Sequence, residues 1–160
     1  MTKLSTPTSV PDATRIITEL NKLIADYLTL YVKCKSFHWH LFGPRFHDLH
    51  LLFDEQATEV LDAVDPLAER VRKLGGSTIT GIQHILGLRA IRDEDIVPIP
   101  AAAMITRLLV DNQHLAGWQR GLAVICADAT DSATENLLAE LTDKAERRVW
   151  FLFELSQTED

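Results

Sequence analysis

Cysteine is nearly missing from this chain: Cys34 and Cys126 are the two it has among 160 residues. Two are too few for a disulfide framework, and the expectation is a pair of buried thiols in a reducing compartment. Uncharged apolar runs of about 18 residues are also lacking, as is a basic segment leading into an apolar core. Neither a membrane span nor a secretory leader is therefore expected, and the expected location is the cytoplasm. Positive charge is the minority, with 16 Lys and Arg against 23 Asp and Glu, giving a formal net charge of −7. That balance argues against a general affinity for polyanions. Internal repeats, linkers and low-complexity tracts are absent, so one domain is expected over 12–160 behind a mobile, proline-punctuated N-terminal tail, 1–11. The last absence is chemical. Glu-x-x-His, which proteins with a dinuclear carboxylate site in the bundle core carry on two helices, occurs nowhere, and this argues against such a site.

What is present reads as helices. Ile16, Ile17, Leu20, Leu23, Ile24, Tyr27, Leu28, Tyr31 and Val32 keep helical spacing in a segment that opens on a capping pattern at Ser9 to Asp12 and runs to about Phe42. No glycine falls between Arg45 and Leu74, and Leu49, Leu52, Phe53, Val60, Val64, Leu67, Val71 and Leu74 recur with the same period, so one long helix is expected there, closed by Gly75-Gly76. Pro66 is its local contradiction and should kink it. A short helix is expected over Ile79–Leu86, then a loop with Pro98 and Pro100, a helix over about 101–127, and a last helix capped by Asp131 or Ser132 and running to about Ser156. The fold class is all-α. Four long helices, two short turns and one long middle connection make a four-helix bundle with a crossover and a short extra helix within it.

Residues 36–76 carry the chemistry. His50/Asp54 and Asp65/Glu69 are two i,i+4 pairs of hard ligands, and His38 lies just upstream. At 100° per residue, the eleven steps from Asp54 to Asp65 turn the helix about 1100°, roughly 20° past three full turns, so both pairs share one stripe. Along the axis the same steps span about 16 Å, far beyond the reach of one ion or one dinuclear centre. One copy cannot close the site. Two copies can, because both pairings, (50+69)/2 and (54+65)/2, are centred on the same position, between Glu59 and Val60. An antiparallel two-fold pair sets His50 and Asp54 of one chain against Glu69 and Asp65 of the other, with a self-complementary interface. Histidines and carboxylates form a mixed N/O set suited to iron or manganese, with zinc possible and copper less natural. The competing reading is a solvated face of an amphipathic helix, for which charged i,i+4 pairs are common. His38-Trp39 weighs against it, since a turn at Gly43-Pro44 folds His38 back beside His50.

His38-Trp39, Gly43, Phe46, His50, Phe53-Asp54, Asp65, Ala68-Glu69-Arg70 and Leu74-Gly75-Gly76, in this order and without gaps, resemble the Dps proteins (DNA-binding proteins from starved cells), mini-ferritins of the ferritin-like superfamily. The likeness extends more weakly over the whole chain. It implies a ferroxidase centre in which His38, His50 and Asp54 of one subunit face Asp65 and Glu69 of its two-fold partner. It also implies a hollow homo-oligomer, a dodecamer, that oxidises Fe(II) with hydrogen peroxide or oxygen, stores Fe(III) and protects against oxidative stress. Two rivals stand beside this: a zinc or manganese shell without turnover, and a nucleoid-associated DNA-binding protein.

Other residues receive plainer expectations. His40, His47, His84 and His114 are expected to be surface or satisfied interior histidines, His47 being the nearest to a ligand position. Trp39, Trp118 and Trp150 are expected in the core, and the resemblance adds that Trp39 and Trp150 lie near the centre. Asp128, Asp131, Glu135, Glu140 and Asp143 cluster at the start of the last helix, either as favourable N-terminal carboxylates or, by the resemblance, around an acidic pore that admits cations. DNA binding is not expected, because 1–11 offers only Lys3 and the terminal amine.

Overall fold

The computed structural model of the chain describes residues 9–157; Lys3 with most of the expected tail, and the acidic end Thr158-Glu159-Asp160, lie outside the described residues. Six helices follow in order: α1 (Ala13–His40), α2 (Phe46–Asp62), α3 (Val64–Lys73), α4 (Ile82–Leu88), α5 (Ala101–Asp128) and α6 (Ser132–Ser156). No strand occurs among the described residues. α1 with α2, and α5 with α6, form antiparallel hairpins. The long connection through α4 then carries the chain across so that α5 lies antiparallel to α1, as Lys33–Asp111 and Tyr27–Gln119 contacts show.

The single long helix expected over 45–74 is divided at Ala63. Pro66 has no N–H to give the Asp62 carbonyl and its ring crowds that oxygen, so the ladder yields just ahead of it. Ala63 itself keeps αR geometry (φ −75°, ψ −22°), and the Leu67 N–H donates to its carbonyl at 3.4 Å, so the backbone stays helical through the break. Leu67 and Val71 beyond it remain buried with Leu49, Phe53 and Val60 before it. The closing glycines behave as expected: Gly75 takes φ +89°, its N–H donates to Arg72 O and that of Gly76 to Val71 O, a Schellman ending. A Cβ on Gly76 would lie 2.7 Å from the Ile17 side chain, so glycine also permits α3 to end hard against α1.

Other boundaries and environments are corrected. α1 ends at His40 rather than Phe42, and its cap Asp12 sits at φ +54° without a side-chain cap bond, so the Ser9 to Asp12 capping pattern is not used. The short helix is shifted to Ile82–Leu88. Asp131 does cap α6, accepting from the Thr134 N–H at 3.1 Å. Trp39 and Trp150 are not core aromatics, at 65% and 60% exposed, whereas Trp118 packs half-buried against the core. Cys34 and Cys126 are buried free thiols; burial pushes Cys34 up to about 12 and Cys126 up to about 11.

Buried polar groups tie the layers together. Asp26, fully buried on α1, accepts from the Ala90 and Ile91 N–H groups at 2.7 and 2.8 Å and from His114 Nε2 at 2.9 Å, pinning the crossover to the bundle. Arg148 on α6 donates to Asn112 on α5 and to Glu59 on α2, both at 2.7 Å. No helix among the described residues is long and apolar enough to cross a membrane.

Candidate metal centre

His38 closes α1 and His50 stands in the second turn of α2, so the short 41–45 turn brings them face to face. Each ring fixes the other. His38 Nδ1 bonds to the His50 carbonyl at 2.7 Å, and His50 Nδ1 to the His38 carbonyl at 2.9 Å. A carbonyl oxygen only accepts, so both Nδ1 atoms carry a hydrogen, and in the neutral imidazole it is then Nε2 that has the lone pair. The rings stack with centroids 3.6 Å apart and planes 21° off parallel, and Phe46 stacks on His50 at 4.9 Å. Two imidazoles are thereby held in a fixed orientation with Nδ1 engaged and Nε2 left as the nitrogen available to a ligand.

Asp54 stands one turn after His50 on α2, but its carboxylate turns to a lysine and does not gather with the two rings as a three-residue metal site within one chain. Its Oδ1 accepts from Lys35 Nζ at 2.5 Å. That hydrogen bond and the ammonium charge hold the carboxyl below the usual carboxylate range, with His38 and His50 adding to the effect. Lys35 lies one turn before His38 on α1, and its Nζ is 5.8 Å from the Trp39 ring centre. Reading the sequence alone misses Lys35, Phe46 as a ring partner, and the reciprocal carbonyl bonds. The i−3 spacing of Lys35 from His38 was the one available signal for the first.

Asp65 and Glu69 stand apart on α3, beyond the Ala63 break, and both are exposed. Glu69 holds only Lys73, at 3.4 Å, in an open i,i+4 pair. Among the described residues, no three His, Cys, Asp or Glu side chains of one chain gather as a metal site. The stripe that carries the ligand candidates is also apolar in part: Leu51 is 56% and Leu61 41% exposed, close in helical angle to Asp54. Among the described residues, the buried charged side chains of the bundle are already engaged within the chain: Arg148 with Glu59, Asp26 with His114, Lys33 with Asp111 and Asp131 with Arg70.

The remaining candidates fall away from this cluster. His47 is 83% exposed and faces Asp48, His40 bonds the Ser36 carbonyl, His84 meets Thr80, and His114 serves Asp26. Asp131 does not line an open acidic surface: it is buried, paired with Arg70 at 2.6 Å and engaged in capping α6. Glu140 pairs with Lys144, leaving Asp128, Glu135 and Asp143 of that cluster unengaged by an ion pair among the described residues.

An all-helical bundle with a crossover and a histidine and carboxylate stripe on its outer face defines a class, and the ferritin-like domain model matches residues 17–159. The DNA protection during starvation protein of Brevibacillus brevis is 35% identical over 133 residues, 83% of this chain and 89% of that protein. Among solved structures, a Dps protein from Bacillus brevis superposes with a TM-score of 0.88 at 31% identity, covering 94% of this chain and 100% of that one. DpsC from Streptomyces coelicolor superposes with a TM-score of 0.91 at 28% identity, covering 99% and 93%. The chain belongs to the Dps family of ferritin-like proteins.

Proposed function

We propose that this protein binds Fe(II) at sites shared between two-fold related copies, oxidises it with hydrogen peroxide, and keeps the Fe(III) inside a hollow dodecamer. The observation that carries the reading is the half-built site: His38 and His50 are locked face to face through their Nδ1 atoms, Asp54 follows one turn on, and within one chain no third ligand gathers with the two rings. Family membership supports the same reading. A second copy, antiparallel about the middle of α2 and α3, supplies Asp65 and Glu69 and covers Leu51 and Leu61.

Each residue type has a task. The neutral imidazoles bind Fe(II) without adding charge, and the three carboxylates favour the higher charge of the product. Two Fe(II) substrate ions give one electron each to one peroxide molecule, whose O–O bond breaks to give hydroxide rather than hydroxyl radical. That stoichiometry makes the reaction protective. Asp128 at the end of α5, Glu135 in the first turn of α6 and Asp143 further along it draw cations toward the shell interior by their summed field. DNA is not a partner in this reading, since residues 1–11 carry one lysine and the chain is net −7.

The test is size-exclusion chromatography with light scattering, followed by anaerobic Fe(II) titration and addition of peroxide. The expected result is a large closed oligomer with Fe(II) sites that saturate and then turn over in about a two-to-one ratio of iron to peroxide. A monomer that nonetheless oxidises iron rapidly would sink the shared site. Saturable Zn(II) or Mn(II) binding without iron turnover would instead favour a storage or structural shell. A salt-sensitive gel shift of plasmid at neutral pH would revive the nucleoid reading.

A further inference from the structure

His114 on α5 is held by one of its ring nitrogens only. Its Nε2 meets Oδ2 of the fully buried Asp26 on α1 at 2.9 Å. Asp26 Oδ1 already accepts the Ala90 and Ile91 N–H groups, so the carboxyl acts as acceptor and Nε2 carries the hydrogen. In the neutral imidazole the lone pair is then on Nδ1, for which no hydrogen-bond partner occurs among the described residues. Trp118, one turn on, stands edge-on to the ring at 5.4 Å.

Asp111, one turn before His114 on the same helix, is also half used. Its Oδ2 accepts from Lys33 Nζ at 2.5 Å, and Oδ1 has no partner among the described residues. Aspartate and histidine three positions apart share a helix face, and here both line one cavity of about 310 Å³ between α1, α5 and the crossover. Burial pushes the Asp111 carboxyl up. Lys33 and then His114 oppose that rise and Asp26 adds to it, so ring and carboxyl lie near enough to feel each other's charge.

A histidine whose far nitrogen donates to a buried carboxylate is the arrangement that orients metal-binding imidazoles and raises their basicity. We propose that His114 Nδ1 and Asp111 Oδ1 together bind one divalent ion of the zinc class, with Asp26 as the carboxylate that orients the ring. One nitrogen and one oxygen donor suit such an ion better than calcium or magnesium, which take oxygen sets. Two protein donors leave its other coordination positions open. Lys33 competes with the ion for Asp111, as Lys35 does for Asp54, and the exposed Arg92 adds a like charge to the cavity wall. Both keep the ion exchangeable. The proposal shares no residue with the His38 and His50 cluster and is independent of the iron reading.

Crystals of the full chain soaked in a zinc salt, with anomalous scattering recorded at the zinc edge, test it directly. The expected result is a zinc peak about 2.0–2.1 Å from His114 Nδ1 and about 2.0–2.2 Å from Asp111 Oδ1. No peak there, or a peak that one of the two side chains does not touch, overturns the proposal. In solution, zinc is titrated calorimetrically into the metal-free oligomer. His114→Gln, whose amide can still donate to Asp26, should bind one equivalent per chain fewer than the wild type. Asp111→Asn, which keeps an acceptor for Lys33, should weaken that equivalent tenfold or more. His50→Ala should leave it in place, separating it from the proposed iron centre. Zinc binding that is the same in the wild type, His114→Gln and Asp111→Asn, or an equivalent that vanishes in His50→Ala, overturns the proposal.

Discussion

Two charged regions share α2 and face opposite ways. On the inner side, Glu59 meets Arg148 and Arg147, and Arg148 meets Asn112, so every charge has a counter-charge within its own chain. On the outer side, His38 and His50 offer unused lone pairs, Asp54 is held by one lysine, and Asp65 and Glu69 face solvent. Both regions are rich in charge, yet the first spends it on folding. The second withholds it. The difference teaches that charge density does not tell the two regions apart: what distinguishes the outer one is incompletely satisfied groups, its two rings held in place by backbone carbonyls.

The largest expected effect breaks the inner region. Arg148→Met strands Asn112 and Glu59 in the bundle. Removing one partner of a buried pair costs several kcal/mol, and the low end, about 3 kcal/mol, is expected because Arg147 keeps a 3.0 Å contact with Glu59. Thermal unfolding at fixed protein concentration should show Tm fall by about 6–12 °C. The corresponding outer change, Asp54→Ala, should move stability by no more than about 0.5 kcal/mol. Equal losses from the two would erase the distinction between the regions.

The second effect concerns activity. His50→Ala and Glu69→Ala should each slow peroxide-driven Fe(II) oxidation by about a hundredfold or more, since even the outer partners of metal ligands are worth 10–100-fold. Assembly should persist in both. Dissociating and reassembling the two variants together should restore roughly a quarter of the sites of the wild-type oligomer by random pairing, because a mixed dimer keeps one intact site. No recovery after mixing is demonstrated would count against sharing between chains.

Smaller still is Phe46→Ala, which removes the stack on His50 while leaving both Nδ1 bonds in place. Isothermal titration with Co(II) should show affinity weakened toward the lower end of the 10–100-fold range for supporting groups. Unchanged affinity would mean that the backbone bonds alone orient the ring.

The smallest effect is Lys35→Met. The ammonium competes with a metal for Asp54, so its loss should tighten Co(II) binding by about two- to fivefold, the range of an exposed ion pair. The sign in pH follows from the depressed carboxyl. Its stabilisation of the metal-free chain is present above the ordinary carboxylate value and lost as pH falls through the lowered one. In Lys35→Met the Asp54 carboxyl should return toward the ordinary range, which a carboxyl NMR titration reads directly. A carboxyl that stays low would assign the depression to the histidines instead.

Much of this was legible in the residues. Helical periodicity placed α5 and α6 to within a residue, because long apolar stripes tolerate only one burial phase. Asp131 announced the start of α6 and Gly75-Gly76 the end of α3 because capping is local chemistry. The ligand spacing likewise follows from sequence arithmetic. What failed was nonlocal. Trp39 and Trp150 look like core residues by composition, but which face of a helix is buried depends on what packs there, and both lie on faces that one chain leaves open. Asp131 looked like part of an acidic cluster until Arg70, sixty-one residues away, claimed it.

The sequence by itself determined the all-α class, the helix order and the two-fold arithmetic of His50, Asp54, Asp65 and Glu69, since each depends on spacing along one chain. Only the tertiary structure decided which ring nitrogens of His38 and His50 are engaged, the hold of Lys35 on Asp54 and the pairing of Arg148 in the core. Each of these turns on which atoms from distant segments come within hydrogen-bond reach, a distance of about 3 Å that no residue spacing encodes.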